Sequence, residues 1–171
     1  MKQGWRIGFA AALISVIGFG LSTAGAQAAP TQAATTIAIP AEVSTFRLNV
    51  SSLLNSFYST YGSRLSQPER TQMTGLIKQV DQVLGTLYHQ SSASAKLART
   101  NAPLAKQRKA AATVAKTYDS AFAASNANME KLQPIIAPKL SLFEALSAKS
   151  DLDQSQQEFE DLGVHIHQAA R

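Results

Sequence analysis

The stretch SQPERTQMTGLIKQVDQVLGTL, residues 66–87, carries the reading of the fold. Ser66 offers a hydroxyl in an N-cap position and Pro68 is tolerated in a first helical turn. Glu69 stands three residues after the cap, where a carboxylate reaches back to the cap's own N–H. From there Met73, Leu76, Ile77, Val80, Val83, Leu84 and Leu87 step by three and four, a wide apolar stripe along one side of a helix. Toward the N-terminus, Val43, Phe46, Val50, Leu53, Leu54, Phe57 and Tyr61 repeat that spacing. Gly62 follows in the place of a left-handed C′ residue. Toward the C-terminus the stripe thins after His89, and Asn101-Ala102-Pro103 closes the second helix and opens a third.

The third helix is expected from about Pro103 to Leu132, with Leu104, Ala111, Val114, Tyr118, Phe122 and Met129 facing inward and Ala between them. Ala favours helix but buries little area, so such a face implies close approach to a neighbour. Pro134 and Pro138 bracket an apolar turn at Ile135-Ile136. The last segment, Lys139 to Ala170, changes register: Leu140, Phe143 and Leu146 define one face, Leu152, Phe159, Leu162 and Ile166 another. Either the helix breaks near Ser150-Asp151 or it twists around its partners. Asp153 followed by Gln156 repeats the capping-box spacing and favours a break. No strand-like alternation of convincing length occurs. The expected fold is all-α, an antiparallel bundle of four to five helices over residues 40–171.

The first residues read differently. Lys2 and Arg6 form a short positive region, Ile7 to Leu21 is apolar with Gly and Ser, and Ala26-Gln27-Ala28 is an A-x-A site. This is the pattern of a signal peptide over residues 1–28, with cleavage before Ala29. The apolar stretch is short of the ~20 residues that a spanning helix needs. With no cysteine in the chain, neither a lipidated N-terminus nor a disulfide is available. A periplasmic or secreted protein without an integral span is expected, with residues 29–39 as a flexible leader. Residues 29–171 suffice for one domain that needs no metal to hold it. Losing Lys2 and Arg6 takes the balance from 16 bases against 11 acids to 14 against 11.

The remaining charge is unevenly spread. Between Asp81 and Asp119 there is no acid but six bases, Lys96, Arg99, Lys106, Arg108, Lys109 and Lys116. Between Lys149 and Arg171 there is no base but five acids, Asp151, Asp153, Glu158, Glu160 and Asp161. An up-down-up-down bundle puts the elbow at Asn101 and the C-terminus at one end, where the two runs could neutralise each other. The other reading is a basic patch for an anionic partner such as a lipid head group, a cell-wall polymer or a client protein.

Catalytic patterns are missing. There is no G-x-S-x-G, no Gly-rich phosphate loop and no H-E-x-x-H. His165 and His167 are two apart, turned ~200° from one another on a helix, and His89 reads as a surface residue. Without C-x-x-C-H no haem can be attached covalently. Met73 and Met129 are expected at the end away from His165 and His167, so no Met/His pair can close on a haem. No enzyme, metal, cofactor or nucleic-acid partner is expected.

Leu65-Ser66-Gln67-Pro68-Glu69 and Leu152-Asp153-Gln154-Ser155-Gln156 resemble two degenerate copies of the L-T-x-x-Q motif, which small helical periplasmic stress proteins of the spheroplast-protein-Y type carry twice. Thr is replaced in both copies, and Glu69 stands for Gln in the first. Both keep an apolar residue, an oxygen-bearing cap and Glu or Gln three residues on. The resemblance implies an ATP-independent chaperone or envelope-stress adaptor, in that family a dimeric cradle whose basic concave face holds unfolded clients. The expectation is a non-enzymatic helical binding protein of the envelope, chaperone-like. An adaptor that docks its basic elbow on an anionic surface is the alternative, and a metal or small-ligand carrier a third. A client cradle needs apolar surface beside the bases; a docking patch needs bases alone.

Overall fold

Four long helices, α1 (Gln32–Tyr61), α2 (Gln67–Arg99), α3 (Leu104–Ile136) and α4 (Leu142–Ala169), run up and down in turn in the computed structural model, which describes residues 32–171. Each helix packs on its two neighbours in a ring, α1 on α2, α2 on α3, α3 on α4 and α4 on α1, so the all-α antiparallel bundle is the observed fold. The signal-peptide reading of residues 1–28 lies outside the described residues, as do Ala29 to Thr31. Among the described residues no helix is long and apolar enough to cross a membrane.

Three boundaries differ from expectation: the start of α1, the end of α3, which runs through Ile135-Ile136 where a turn is expected, and the middle of α4. Residues 32–39 are not a leader: they are the first turns of α1, with Thr36 and Ile39 buried at the Asn101 end of the bundle. Pro40 lies inside α1 and Pro134 inside α3. Each ring removes one backbone hydrogen bond, but burial of Ile39 and Val43 around the first and of Leu132 and Ile135 around the second keeps the helix running.

α4 is also unbroken through Ser150 and Asp151. The register change is real, but it is resolved by leaving one face in solvent. Phe159, Leu162, Gly163, Ile166 and Ala169 are buried, whereas Leu142, Phe143 and Leu146 are exposed, Phe143 by 85%. No residue from 142 to 158 is fully buried. The helix starts at a capping box that sequence reasoning passed over: Ser141 Oγ accepts from Glu144 N–H, and Glu144 accepts from Ser141 N–H at 2.8 Å.

That second box reveals an internal repeat. Arg64-Leu65-Ser66-x-x-Glu69 recurs as Lys139-Leu140-Ser141-x-x-Glu144, with Arg64 and Lys139 75 residues apart. Each motif follows a 3-10 turn, Gly62–Arg64 or Ala137–Lys139, and opens the descending helix of a hairpin. Buried positions repeat at the same offset: Ile39 with Val114, Val43 with Tyr118, Leu84 with Phe159, Leu87 with Leu162. The bundle is thus two alike helical hairpins packed about an approximate two-fold axis. The cations cross between them. Arg64 forks onto Glu144 at 2.9 and 3.0 Å, and Lys139 lies 3.5 Å from Glu69. Each hairpin's turn cation holds the other hairpin's capping carboxylate, and Arg64 also donates to the Lys139 carbonyl.

The core is aromatic in the middle of α4. Phe46 stacks on Phe159 at 4.6 Å between ring centres, and Tyr118 meets the same ring edge-on at 5.1 Å. The Tyr118 hydroxyl crosses α4 to donate to the Phe159 carbonyl at 2.8 Å. Gly163 makes that crossing possible, because a Cβ there would lie 2.3 Å from the Tyr118 oxygen.

Candidate functional site

The basic elbow is built by a tight helix ending. Asn101, with φ of 50°, stands in the left-handed region after the α2 C-cap Thr100. Ala102 N–H donates to the Leu97 carbonyl and Asn101 N–H to the Ala98 carbonyl, which is the Schellman arrangement. Pro103 then caps α3, and the Gln107 side chain donates back to the Ala102 carbonyl at 2.6 Å. The turn is tied to both helices, so the backbone positions that carry the cations are fixed relative to one another.

Lys96, Arg99, Lys106, Arg108, Lys109 and Lys116 are all exposed, and none has an ion-pair partner among the described residues. Lys96 and Arg99 fall in the last turn of α2, where the helix dipole favours a cation. Lys106, Arg108 and Lys109 fall in the first two turns of α3, where the dipole opposes one, and that first turn holds no acid. Leu104 was expected to face inward. It is 68% exposed instead, on the rim of a cleft that it lines together with Gln32, Ala33 and Ala169.

The elbow and the end of α4 do share one end of the bundle: Gln32 Nε2 donates to the Ala169 carbonyl there. The acidic run is elsewhere. Asp161 lies eight residues before Ala169, ~12 Å along the axis, and Asp151 ~27 Å. Four of the five carboxylates are served within α4: Glu158 accepts from Gln154, Glu160 from Gln156, Asp161 from Gln157 and Asp153 from Lys149, each four residues back. Internal neutralisation of the elbow by the tail does not form.

Of the two motif copies, the first is a helix start. Leu65 is buried, Ser66 caps α2, and Glu69 accepts from Ser66 N–H at 2.7 Å, a bond that with Lys139 lowers the Glu69 pKa. The second copy is not a helix start. Leu152, Asp153 and Gln156 lie mid-helix in α4, where Asp153 pairs with Lys149 and Gln156 donates to Glu160. Ser141 and Glu144 hold the role assigned to them.

The histidines diverge to different neighbours. His165 Nδ1 is 2.8 Å from Glu42 on α1 and His167 Nε2 is 3.0 Å from Asp119 on α3, so the pair straddles α4. Among the described residues no group of three or more His, Asp or Glu could hold a metal ion. The one buried side-chain polar atom there without a partner is Ser94 Oγ, in a cavity of about 10 Å3 bounded also by Thr36, Ser91 and Ile166. Beside it a wider cleft of about 80 Å3 opens between the starts of α1 and α3 and the end of α4, with Arg108 and Gln107 on its α3 side. The chain matches no family model, no curated protein and no solved structure.

Proposed function

We propose that the protein is a non-catalytic helical adaptor of the cell envelope, which docks its Asn101 end on an anionic surface. One observation supports this above the others. The two hairpins enter the same end of the bundle at equivalent positions, yet α1 does so with exposed Ala33 and Ala34 and α3 with exposed Arg108 and Lys109. The fold therefore does not need charge there. Like charges three and four apart cost roughly 0.2–0.5 kcal/mol per pair, and cations in a first helical turn add to that cost. A cluster that opposes the stability of its own helix, without partners, is read as a surface for something else.

The distribution of exposed apolar residues supports docking over client capture. The largest exposed apolar group, Leu142, Phe143 and Leu146, sits at the start of α4, roughly 40 Å from the elbow. The elbow cations and this apolar group therefore sit at opposite ends, which supports docking over a cradle that brings the two together. The α4 group supports a second reading, in which the far end holds an apolar protein segment in a chaperone-like way while the basic end is docked.

The test is retention on immobilised polyphosphate. The protein is expected to bind at low salt and elute as salt rises. Replacing Lys96, Arg99, Lys106, Arg108 and Lys109 with Gln should abolish retention while the circular dichroism spectrum stays unchanged. Undiminished retention of that variant would overturn the proposal.

A further inference from the structure

We infer that the anionic surface is a phospholipid bilayer, met end-on, with Leu104 seated among the acyl chains and five cations on the phosphates around it. This rests on the docking reading above and adds the identity of the partner. The first support is the place of Leu104. It is the first residue of α3, 68% exposed just after the Asn101 turn, on the rim of the cleft, with cations before the turn and after it. A polyanion in water gives such a side chain nothing to bury against, whereas a bilayer boundary takes charge and an apolar side chain together.

The second support is depth. Lys96 and Arg99 occupy the last turn of α2, and Lys106, Arg108 and Lys109 lie within ~8 Å of Leu104 along the axis of α3. An interfacial element reaches ~5–10 Å into the headgroup and acyl boundary, so all five cations fall in one layer with Leu104 below them. Lys116 stands ~18 Å up the helix, beyond that layer and beyond the ~8 Å screening length. It is excluded from the site.

The third support is the cleft next to Leu104. Gln107 and Arg108 border it on one side and Ala33 and Ala169 on the other, and its volume is about 80 Å3. A phosphate can approach Arg108 along this cleft.

The experiment is co-sedimentation of the processed protein, its start confirmed by intact mass, with vesicles of phosphatidylcholine alone or of equimolar phosphatidylcholine and phosphatidylglycerol. Binding is expected only to the second. Each single Lys→Gln or Arg→Gln change among the five should weaken it about fivefold, and Lys116→Gln should leave it unchanged. Leu104→Asn should weaken vesicle binding about tenfold and spare polyphosphate retention. Leu104→Trp should shift its fluorescence to the blue on the mixed vesicles. Vesicle binding that ignores Leu104, or polyphosphate retention without vesicle binding, would overturn the bilayer assignment and leave the docking reading standing. Failure to bind either would overturn both.

Discussion

Replacing Gly163 with Ala sets two known effects against each other. In a helix interior Ala is favoured over Gly by ~1 kcal/mol, so propensity alone predicts stabilisation. At Gly163 the new Cβ would lie 2.3 Å from the Tyr118 oxygen and 2.4 Å from Cζ, well inside contact distance. Tyr118 has no free space to retreat into: it is buried, and its ring is held against Phe159, Phe122 and His167. Overpacking of this kind costs ~1–3 kcal/mol, and pushing the hydroxyl off the Phe159 carbonyl leaves a buried donor unmade for ~1–3 kcal/mol more. Steric loss wins, and Gly163→Ala should destabilise by about 1–5 kcal/mol after the propensity gain. Gly75 is the internal control, since nothing lies within 4 Å of a Cβ there. Gly75→Ala should stabilise by ~0.5–1 kcal/mol. Both are measured by urea denaturation followed by circular dichroism. In a Tyr118→Leu background Gly163→Ala should become neutral or better. If both Gly→Ala changes move stability in the same direction, the crossing of Tyr118 over α4 is not what that glycine serves.

Three further outcomes are expected. Arg64 and the Ser141 N–H hold the Glu144 pKa down to about 2 from 4.5, so the stability it adds is present above 4.5 and lost as pH falls toward 2; the melting-temperature advantage of the native protein over Glu144→Gln should fade across that window, and a constant difference would contradict the ion pair. Ser94→Ala removes a buried hydroxyl without a partner and should raise stability by roughly 1 kcal/mol, and a loss on denaturation would show that the hydroxyl is satisfied. Amide exchange should be faster over residues 142–157 than over 159–169, where the buried side chains of α4 are, and uniform protection along α4 would refute the loose packing of its first half.

How far the sequence carried depends on where apolar and capping signals agreed. In α2 the cap Ser66–Glu69, the stripe from Met73 to Leu87 and the Asn101 stop all point one way, and the helix runs Gln67–Arg99. At the start of α1 the composition misled: small uncharged residues read as a leader, but Thr36 and Ile39 are what the close-packed Ala and Ser faces of α2 and α3 need opposite them. In α4 a change of apolar register was read as a break near Ser150. A helix can instead keep its hydrogen bonds and expose Leu142, Phe143 and Leu146, which no periodicity distinguishes from breaking. The Ser141–Glu144 box had the same spacing as Ser66–Glu69 and was legible. The crossing of Arg64 to Glu144 and Lys139 to Glu69 was not, because it exists only once the hairpins are packed. The elbow cations were legible as a run; their freedom from the acids of α4 needed the axial distance that only the folded bundle supplies.

Because the hairpins are alike and Ala169 ends beside Gln32, the elbow at Asn101 is one of two equivalent places where the bundle could be joined. A chain opened between Asn101 and Ala102, with a short linker from the end of α4 to the start of α1, would keep both hairpins, the aromatic centre and the crossed ion pairs. Chain order would be permuted while the packing stayed the same. The five cations would then sit on two loose ends. Such a permutant should fold as the native chain does, and any surface that needs its cations fixed around one turn would be lost with the turn.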